Sequence, residues 1–413
     1  MAGESSSWLP LDLLLEILAR SDPVTIVRGD ATCKLLRLHV TGADFRGRLL
    51  QRPADERFLV GLFYRRHRGH KVRVSPLTSA AAASPSHRPP IPVASLMSRT
   101  CSDDLFDSHR VVASSDGLLV LTTRRPARFG EPERPCRVCV CNPATGERAF
   151  FPVPTTVSGD LYVLLPLQDR DDDGRRAVEL SSFRLLAADQ RALRTQTLSS
   201  VEGRWSPVTT SPDIPILSHC FTEPRQQFPV VLGGGGGGGG GIWLYRQVLM
   251  RIYHVVALDV RTGQATSIDV PGACVRSLSA SCGSKDLIVA AVDGELGLIV
   301  ADPLVIYVWK LPGDAAAGCC WARSVLIQTD MILSSVQHLL SRLACQGIAF
   351  EWFGQRSGSL VFQMHGVGLL VFNLRSKRIY QLETCLRMAS FDLFCPYELD
   401  RLSLIPSSPV IPR

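Results

Sequence analysis

The spacing of apolar residues changes along the chain from a helical pattern to an alternating one. Residues 9–50 carry short apolar stripes at intervals of three and four residues, as on one face of a helix. Beyond about residue 96, short apolar runs with a period of two alternate with turn-forming residues, which is typical of strands. The pattern predicts an α+β multidomain protein, with a small N-terminal helical module followed by a large all-β, propeller-like domain.

Local chemistry predicts where the N-terminal helices begin. Pro10 suits a first helical turn, and Glu16 lies four residues before Arg20, which is a favourable orientation for an ion pair on one helix face. The dipeptide Asp22-Pro23 combines an N-cap with a proline at the first helical position. A further helical stretch is predicted over residues 33–40.

Four segments of the β domain resemble one another: Val138–Pro154, Val255–Pro271, Gly297–Pro312 and Gly368–Glu383. Each contains an apolar strand, an Asn or Asp, a short turn and a second strand. The polar residue of each segment serves as a marker, namely Asn142, Asp259, Asp302 and Asn373. The interval of 43 residues between Asp259 and Asp302 matches a four-stranded propeller blade of roughly 40–45 residues. These repeats predict blades but not their number.

Two further segments are assigned from pattern alone. Residues 181–209 are predicted to be another blade, and residues 331–345 carry apolar side chains at helical spacing, which predicts a helical insertion.

The Pro-, Ser- and Ala-rich residues 75–95 are predicted to form a low-complexity loop. Nine consecutive glycines at 233–241 are predicted to form a flexible loop before a strand at Ile242. The expected domains are residues 1–50 and 53–406.

Charge and cysteine usage narrow the class of protein. The chain of 413 residues has a net charge of +7, of which +5 lies in residues 1–74, so the large domain lacks the basic stripe of a nucleic-acid binder. No apolar stretch approaches the length of a membrane helix, and no secretory signal precedes the thirteen cysteines. We therefore expect reduced cysteines, a location in the nucleus, the cytoplasm or both, and neither nucleic-acid nor membrane partners.

No complete catalytic or metal-binding motif occurs. Residues 169–174 copy the opening of a calcium loop, but Leu180 stands where the bidentate glutamate belongs. Cys136 and Cys139 form a C-x-x-C without a second pair nearby, and zinc needs four ligands. The basic run at 65–73 is either a nuclear-import signal or a charged strand end. We expect no metal, no cofactor and no catalytic residue.

Residues 9–37 resemble the F-box family. The matching residues are Leu9, Pro10, Asp12, Leu13, Leu14, Glu16, Ile17, Leu18, Arg20, Asp22, Pro23, Arg28, Cys33, Lys34 and Arg37. One position departs from the family pattern, because Leu36 stands where the family usually has tryptophan. The remaining chain looks like the F-box-associated β-propeller of plant F-box proteins, especially those of grasses. This likeness rests on Ser115–Leu119, Cys141–Glu147 and Cys395–Asp400.

The resemblance implies a non-catalytic subunit of a Skp–cullin–F-box ubiquitin ligase. In that assembly the F-box binds a Skp-type adaptor and through it a cullin, while the β-rich domain binds a substrate protein of unknown identity for ubiquitination and degradation. The expected adaptor-binding residues are Leu9, Pro10, Leu13, Leu14, Ile17, Leu18, Pro23, Val27, Cys33 and Leu36. The alternative is a β-propeller hydrolase or carbohydrate-binding protein with an incidental N-terminal helical cap.

Overall fold

The computed structural model describes the chain in segments. These are residues 9–21, 26, 33–40, 42, 44–45, 48, 59–66, 73–76, 105, 109–115, 117–123, 137–143, 147–154, 161–166, 183–189, 194–211, 229–233, 239–247, 252–259, 263–277, 287–302, 304–311, 321–335, 347–364, 367–381 and 391–398. All statements about structure below refer to these residues.

The described elements are mostly strands. The helices are α1 Leu11–Arg20, α2 Lys34–Val40, α3 Gly272–Ser277 and α4 Thr329–Ser335. The strands are β1 Leu59–Arg66, β2 Arg73–Pro76, β3 His109–Ser115, β4 Leu118–Thr123, β5 Arg137–Cys141, β6 Arg148–Pro152, β7 Leu161–Pro166, β8 Phe183–Asp189, β9 Arg194–Ser199, β10 Thr209–Thr210, β11 Val230–Gly233, β12 Gly239–Gln247, β13 Ile252–Asp259, β14 Ala265–Asp269, β15 Leu287–Val292, β16 Glu295–Ala301, β17 Val305–Leu311, β18 Ala322–Gln328, β19 Ile348–Phe353, β20 Ser359–Met364, β21 Gly368–Asn373, β22 Ile379–Gln381 and β23 Phe391–Glu398.

Within the described residues the strands form six antiparallel sheets. Sheet A has three strands in the order β2-β1-β23. Five sheets have four strands each, in sequential order: sheet B is β3–β6, sheet C is β7–β10, sheet D is β11–β14, sheet E is β15–β18 and sheet F is β19–β22. Each of these five sheets is a meander of neighbouring strands, which is the arrangement of a propeller blade. The fold is therefore mostly β and propeller-like.

Neighbouring sheets share apolar cores. The cores join sheet B to C, C to D, D to E and E to F, as represented by Val120 with Leu185, Leu186 with Val256, Val255 with Leu298, and Ile299 with Phe362. The first strands of neighbouring sheets also contact each other, for example β3 with β7 and β15 with β19. Sheets C, D and E therefore each bury both of their faces against neighbouring sheets.

Sheet A brings the two ends of the β domain together. The C-terminal strand β23 pairs antiparallel with β1 and contacts β3 of sheet B. The Tyr397 hydroxyl donates to the Gly117 carbonyl at 2.9 Å, and the Gly117 N–H donates to the Glu398 carbonyl at 2.9 Å. The Glu398 carboxylate accepts hydrogen bonds from the backbone N–H groups of Ser357 at 2.8 Å and Arg356 at 3.3 Å. Strand β23 thus links sheet B to sheet F.

The N-terminal helices form a small cluster of their own. Its buried members are Leu15, Leu18, Ala19, Ile26, Val40 and Phe45, with Leu11 and Leu36 packed against them. The predicted pair on α1 is confirmed, because Arg20 Nε lies 2.7 Å from Glu16 Oε1. Pro10 lies at the N-cap of α1, where its carbonyl accepts from the N–H groups of Leu13 and Leu14 at 3.0 and 3.1 Å.

The marker residues do not all occupy the same turn. Asn142, Asp259 and Asn373 follow the third strands of sheets B, D and F, whereas Asp302 follows the second strand of sheet E. The interval of 43 residues between Asp259 and Asp302 therefore compares unlike positions. The first strands of sheets B to F begin 52 to 69 residues apart, which is longer than the predicted repeat.

Two predicted loops are in part strand. Gly233 pairs with Gly239, and Gly240 and Gly241 continue β12, so four of the nine glycines belong to a hairpin of sheet D. Glycine can pair in a sheet because it keeps its backbone N–H and C=O groups, although ordering glycine costs conformational entropy. In the predicted loop 75–95, Ser75 and Pro76 end strand β2, and residues 77–95 lie outside the described residues.

The two segments assigned from pattern alone match the structure only in part, because β7 of sheet C precedes residue 181 and only residues 331–335 of the predicted helix are described. Residues 181–209 contain β8, β9 and the start of β10, which form sheet C with β7. The predicted helix at 331–345 corresponds to α4, which covers Thr329–Ser335, and residues 336–345 lie outside the described part. None of the described helices has the length and apolar character that crossing a membrane requires.

Candidate functional site

Helix α1 exposes an apolar stripe along one face. Leu13 and Ile17 lie four residues apart on α1 and are 50% and 51% exposed, and Leu9, just before the helix, is 51% exposed. Residues at this spacing lie on the same side of a helix. The opposite side of α1 packs into the cluster through Leu15 and Leu18. The helix therefore has one apolar face inside the module and a second one open to solvent.

Helix α2 adds a second group of exposed apolar residues. Leu35 is 53% exposed and Leu38 is 68% exposed, whereas Val40 at the end of the helix is fully buried. Among the described residues, ten large apolar side chains are strongly exposed, and five of these lie between residues 9 and 38. We call these five residues the leucine surface: Leu9, Leu13, Ile17, Leu35 and Leu38. Exposed apolar groups at this density are typical of interaction surfaces.

Charged and capping groups hold α1 in place. Glu16 contacts Arg20 on one side and Arg48 Nη1 on the other, the second pair at 3.8 Å between Nη1 and Oε2. The Ser21 hydroxyl donates to the Ile17 carbonyl at 2.8 Å, which satisfies one of the carbonyl groups left open at the end of the helix. The exposed stripe is thus carried by a helix with a well-defined end.

Cys33 carries a free, exposed thiol next to the residues of the leucine surface on α2. It precedes α2 and is exposed, and the backbone N–H groups of Leu36 and Leu35 lower the pKa of its thiol. Hydrogen bonds to the thiolate favour the charged form, and the start of a helix provides them. Cys33 is therefore positioned to report on the accessibility of α2.

The structure divides the ten expected adaptor-binding residues. Leu9, Pro10, Leu13, Ile17 and Cys33 are exposed, Leu14 and Leu36 are partly buried, and Leu18 is 9% exposed inside the cluster. Pro23 and Val27 lie outside the described residues. Leu18 packs inside its own module, and its contact with an adaptor stays a prediction. Leu35 and Leu38 were missed, although their spacing of three residues was a usable helical signal.

The cysteines behave mainly as core residues where they are described. Cys139, Cys141, Cys274 and Cys395 are buried, and none of them or Cys33 forms a disulfide. Burial raises the pKa of the Cys274 thiol to about 12, although nearby Arg323 opposes the shift, and burial also raises the pKa of Cys395.

The other motifs lie mostly beyond the described residues. Cys136 and the calcium-like residues 169–174 are outside that part of the chain, and no cluster of three metal-ligating side chains occurs within it. The basic run 65–73 includes the end of β1 and the start of β2, while residues 67–72 are outside the described part.

Comparison with protein families decides the classification of the β domain. Residues 77–408 match the model of a family described as a domain of unknown function, DUF7595. The chain belongs to this family. The match to DUF7595 begins after the N-terminal helices and also after β1 and β2, although β1 pairs with β23 inside the matched region. Sheet A of this DUF7595 protein is thus completed by strands that precede the family match.

Comparison with solved structures gives only remote similarities. The chain is 12% identical to a puromycin-hydrolysing peptidase of Mycobacterium tuberculosis, with a TM-score of 0.35 over 67% of this chain and 38% of the peptidase. It is 9% identical to a nidogen/laminin complex, with a TM-score of 0.38 over 82% of this chain and 98% of that one. It is 12% identical to a DUF4784 family protein of Bacteroides caccae, with a TM-score of 0.38, covering 84% and 75% of the two chains.

At these identities and TM-scores the similarities carry no information about function. The DUF7595 chain spans 38% of the length of the peptidase. A comparison with curated proteins gave no match.

Proposed function

We propose that the chain is the substrate-recognition subunit of a Skp–cullin–F-box ubiquitin ligase. The helical module of residues 1–50 docks on a Skp-type adaptor, which brings the cullin, and the propeller-like domain of residues 53–406 holds the target protein. The observation that supports this proposal is the leucine surface, because four of its five residues lie within residues 9–37, which carry the F-box resemblance, and Leu38 follows directly. The chain itself acts by binding, not by catalysis.

The energetics favour a partner for the leucine surface. Full burial of a leucine or isoleucine side chain contributes roughly 1.5–3 kcal/mol. Each of the five side chains in the leucine surface is at least half exposed, so burying the rest gives about 1 kcal/mol per residue. The total of about 5 kcal/mol offsets part of the cost of association. Burial of the leucine surface would therefore contribute to the stability of a complex.

Binding of the purified full-length chain to a purified Skp-type adaptor tests the proposal. We expect the double substitution Leu13→Asp and Ile17→Asp to abolish binding, since burying an unpaired carboxylate costs several kcal/mol. Val201→Asp is a matched control, because Val201 is 75% exposed and lies in the turn after β9 of sheet C. We expect this control to bind like the original chain. Equal adaptor binding by the double variant and the control would contradict the proposal.

Alkylation of Cys33 gives a second readout with a defined pH dependence. Because hydrogen bonding lowers the pKa of Cys33, its thiolate fraction and its alkylation rate should rise at lower pH than those of an ordinary cysteine. The raised pKa of buried Cys274 should keep that residue unmodified over the same pH range. Site-resolved mass spectrometry with and without adaptor should show protection of Cys33 in the complex. Unchanged labelling of Cys33 in a saturated complex would place the adaptor elsewhere.

The same preparation can address the alternative of a hydrolytic or carbohydrate-binding propeller. Absence of adaptor binding, together with turnover of glycoside or ester substrates or with retention on a carbohydrate matrix, would replace the proposal by that alternative.

A further inference from the structure

Sheet E ends in a long outer strand. The first strands of neighbouring sheets contact each other, so the last strand of each four-stranded sheet is its outer edge. In sheet E this strand is β18, and no further described strand pairs with its outer side. It has seven residues, whereas the last strands of the other four sheets have two to five. An edge strand presents unpaired backbone N–H and C=O groups, so a longer one offers more of them to another chain.

Both faces of β18 are open to solvent along its first half. The first four residues, Ala322–Val325, are all exposed. Successive side chains of a strand point to opposite faces, so four exposed residues in a row mean that neither face is covered by a neighbouring sheet. In the last strands of the other four sheets, at most two consecutive residues are exposed. We call Ala322–Val325 the open edge.

Proline and bulges, which commonly protect edge strands, do not interrupt the open edge. Strand β18 contains no proline, whereas the outer strand β6 of sheet B ends at Pro152. A register shift between Ile306 and Tyr307 of β17 marks a bulge in the sheet. The extra residue is Leu326, which lies beyond the open edge. Residues 322–325 therefore keep a regular extended backbone.

The charged residue of the open edge is held over a face of the sheet. The Arg323 guanidinium carbon lies 3.7 Å from the centre of the Tyr307 ring. Tyr307 is paired with Val325, so Arg323 and Tyr307 share one face of sheet E. A charged side chain protects an edge when it extends past the strand. Arg323 instead stacks on the neighbouring strand and leaves the edge accessible.

Apolar side chains accompany the open edge. Val325 is 57% exposed in the strand, Met331 on α4 is 56% exposed, and Leu304 before β17 is 74% exposed. The Thr329 N–H donates to the Leu304 carbonyl at 2.8 Å, which places Leu304 beside the end of β18. Outside the leucine surface, five large apolar side chains of the described chain are strongly exposed, and these are three of them. Backbone hydrogen-bonding groups and apolar contacts thus occur together here.

We propose that the open edge binds an extended segment of the target protein, which adds a fifth strand to sheet E. Every second residue of an antiparallel strand directs its N–H and C=O groups away from its partner, and only another strand matches that spacing. An apolar side chain of the segment packs opposite Val325. The part played by a target protein rests on the proposed ubiquitin-ligase function. Recognition by the open edge requires an extended backbone and an apolar residue, but no charge of either sign.

Fluorescence anisotropy on the full-length chain, without adaptor, tests the inference. The probe is a fluorescein-labelled peptide of alternating threonine and valine. A control peptide has the same side chains but is methylated at every backbone nitrogen, so it lacks the donors that strand pairing needs. We expect the first peptide to bind with little dependence on salt and the methylated peptide not to bind. Equal binding of both peptides, or no binding of the first up to its solubility limit, would overturn the inference.

Substitutions at Val325 locate the binding site. Val325→Lys should weaken binding at least about tenfold, because lysine on an edge strand opposes strand addition. Val325→Ile keeps the apolar contact and should bind within about twofold of the original chain. Val201→Lys is the matched control, because Val201 is 75% exposed in the turn after β9 and should leave binding unchanged.

Urea unfolding separates a loss of binding from a loss of structure. Both valines are exposed, so the two lysine variants should unfold at the same urea concentration as the original chain. Equal peptide affinity of Val325→Lys and Val201→Lys would show that the peptide binds elsewhere and would overturn the inference.

Failure of this inference can be told from failure of the proposed function. A chain that binds the peptide through Val325 but binds no adaptor overturns the ubiquitin-ligase proposal alone. A chain that binds the adaptor but not the peptide overturns the open edge alone. Analytical ultracentrifugation examines a second copy as the occupant. A dimer that Val325→Lys abolishes and that the peptide does not dissociate would assign the open edge to self-association, against the inference.

Discussion

About half of the surface of Leu13 and Ile17 on the N-terminal helix is open to solvent, whereas Phe362 and Phe372 in sheet F are fully buried. Two short helices can cover only one side of each other, so their second apolar face stays exposed. In the β domain, sheets C, D and E each pack between two neighbours, so both of their faces are covered. The comparison shows that the helical module leaves large apolar side chains exposed, whereas the sheets largely cover each other.

The same difference appears in the burial pattern along single elements. All six residues of β21 are buried, whereas the outer strand β22 is only partly buried at every position. A strand that is covered on both faces needs a continuous apolar run, and an outer strand does not. In α1, by contrast, buried and exposed apolar residues alternate at helical spacing. Apolar residues in the sheets therefore indicate a core, whereas in α1 some of them belong to a core and others stay exposed.

The largest loss of stability is expected from truncating a core side chain of the sheets. Phe362→Ala should lower the free energy of unfolding by about 3–5 kcal/mol, since Phe362 is fully buried and its ring contacts that of Phe350 edge to face. Leu13→Ala on the leucine surface should change stability by less than about 0.5 kcal/mol. Urea unfolding followed by circular dichroism measures both. Comparable losses in the two variants would show that Leu13 is a core residue and not a docking residue.

A smaller loss of stability is expected at the contact between β23 and sheet F. A Cβ atom at Gly354 would overlap the carboxylate of Glu398 and the hydroxyl of Ser357. Gly354→Ala should therefore disturb the link between β23 and sheet F and cost about 1–3 kcal/mol. Gly272→Ala is the matched control, because nothing lies within 4 Å of a Cβ at that position in α3. Thermal unfolding compares the two variants, and a Gly354→Ala protein as stable as the control would mean that this contact is dispensable.

The smallest expected effect is a change in adaptor binding at Leu36, where the F-box pattern usually has tryptophan. Leu36 is partly buried against the helical cluster and lies next to exposed Leu35. Leu36→Trp should extend apolar area towards the partner and tighten adaptor binding by about 1 kcal/mol, or about fivefold. Titration against one adaptor measures this change, and Val201→Trp serves as a control that should have no effect. Equal or weaker binding by Leu36→Trp would indicate that tryptophan is overpacked at this position.

Much of the local structure could be predicted because it depends on nearby residues. The Glu16–Arg20 pair and the turns after Asn142, Asp259 and Asn373 follow from short-range hydrogen bonding and helical spacing. The blade length could not be predicted, since Asp302 follows the second strand of its sheet and the other three markers follow the third. A polar residue in a turn has the same local signal whichever pair of strands it joins.

The candidate sites show the same limit. Exposed Leu13 and Ile17 were expected from their spacing on α1, but the same spacing pattern could not show that Leu18 belongs to the interior. Whether an apolar residue faces a partner or a core depends on which elements cover it. Leu18 is interior because Val40 of helix α2 and Phe45 belong to the same buried cluster, and the placement of these residues is a property of the folded module.

By itself, the sequence determined the helical start of the chain, the change to strands, and the polar residues that shape single turns, because these features depend on interactions over a few residues. Only the tertiary structure decided that β23 pairs with β1, that Tyr397 contacts Gly117, and that Lys310 and Lys377 meet beside Asp293. Each of these contacts joins residues that are distant in the chain or that belong to different sheets. Their closeness results from the packing of whole sheets, which no local pattern specifies.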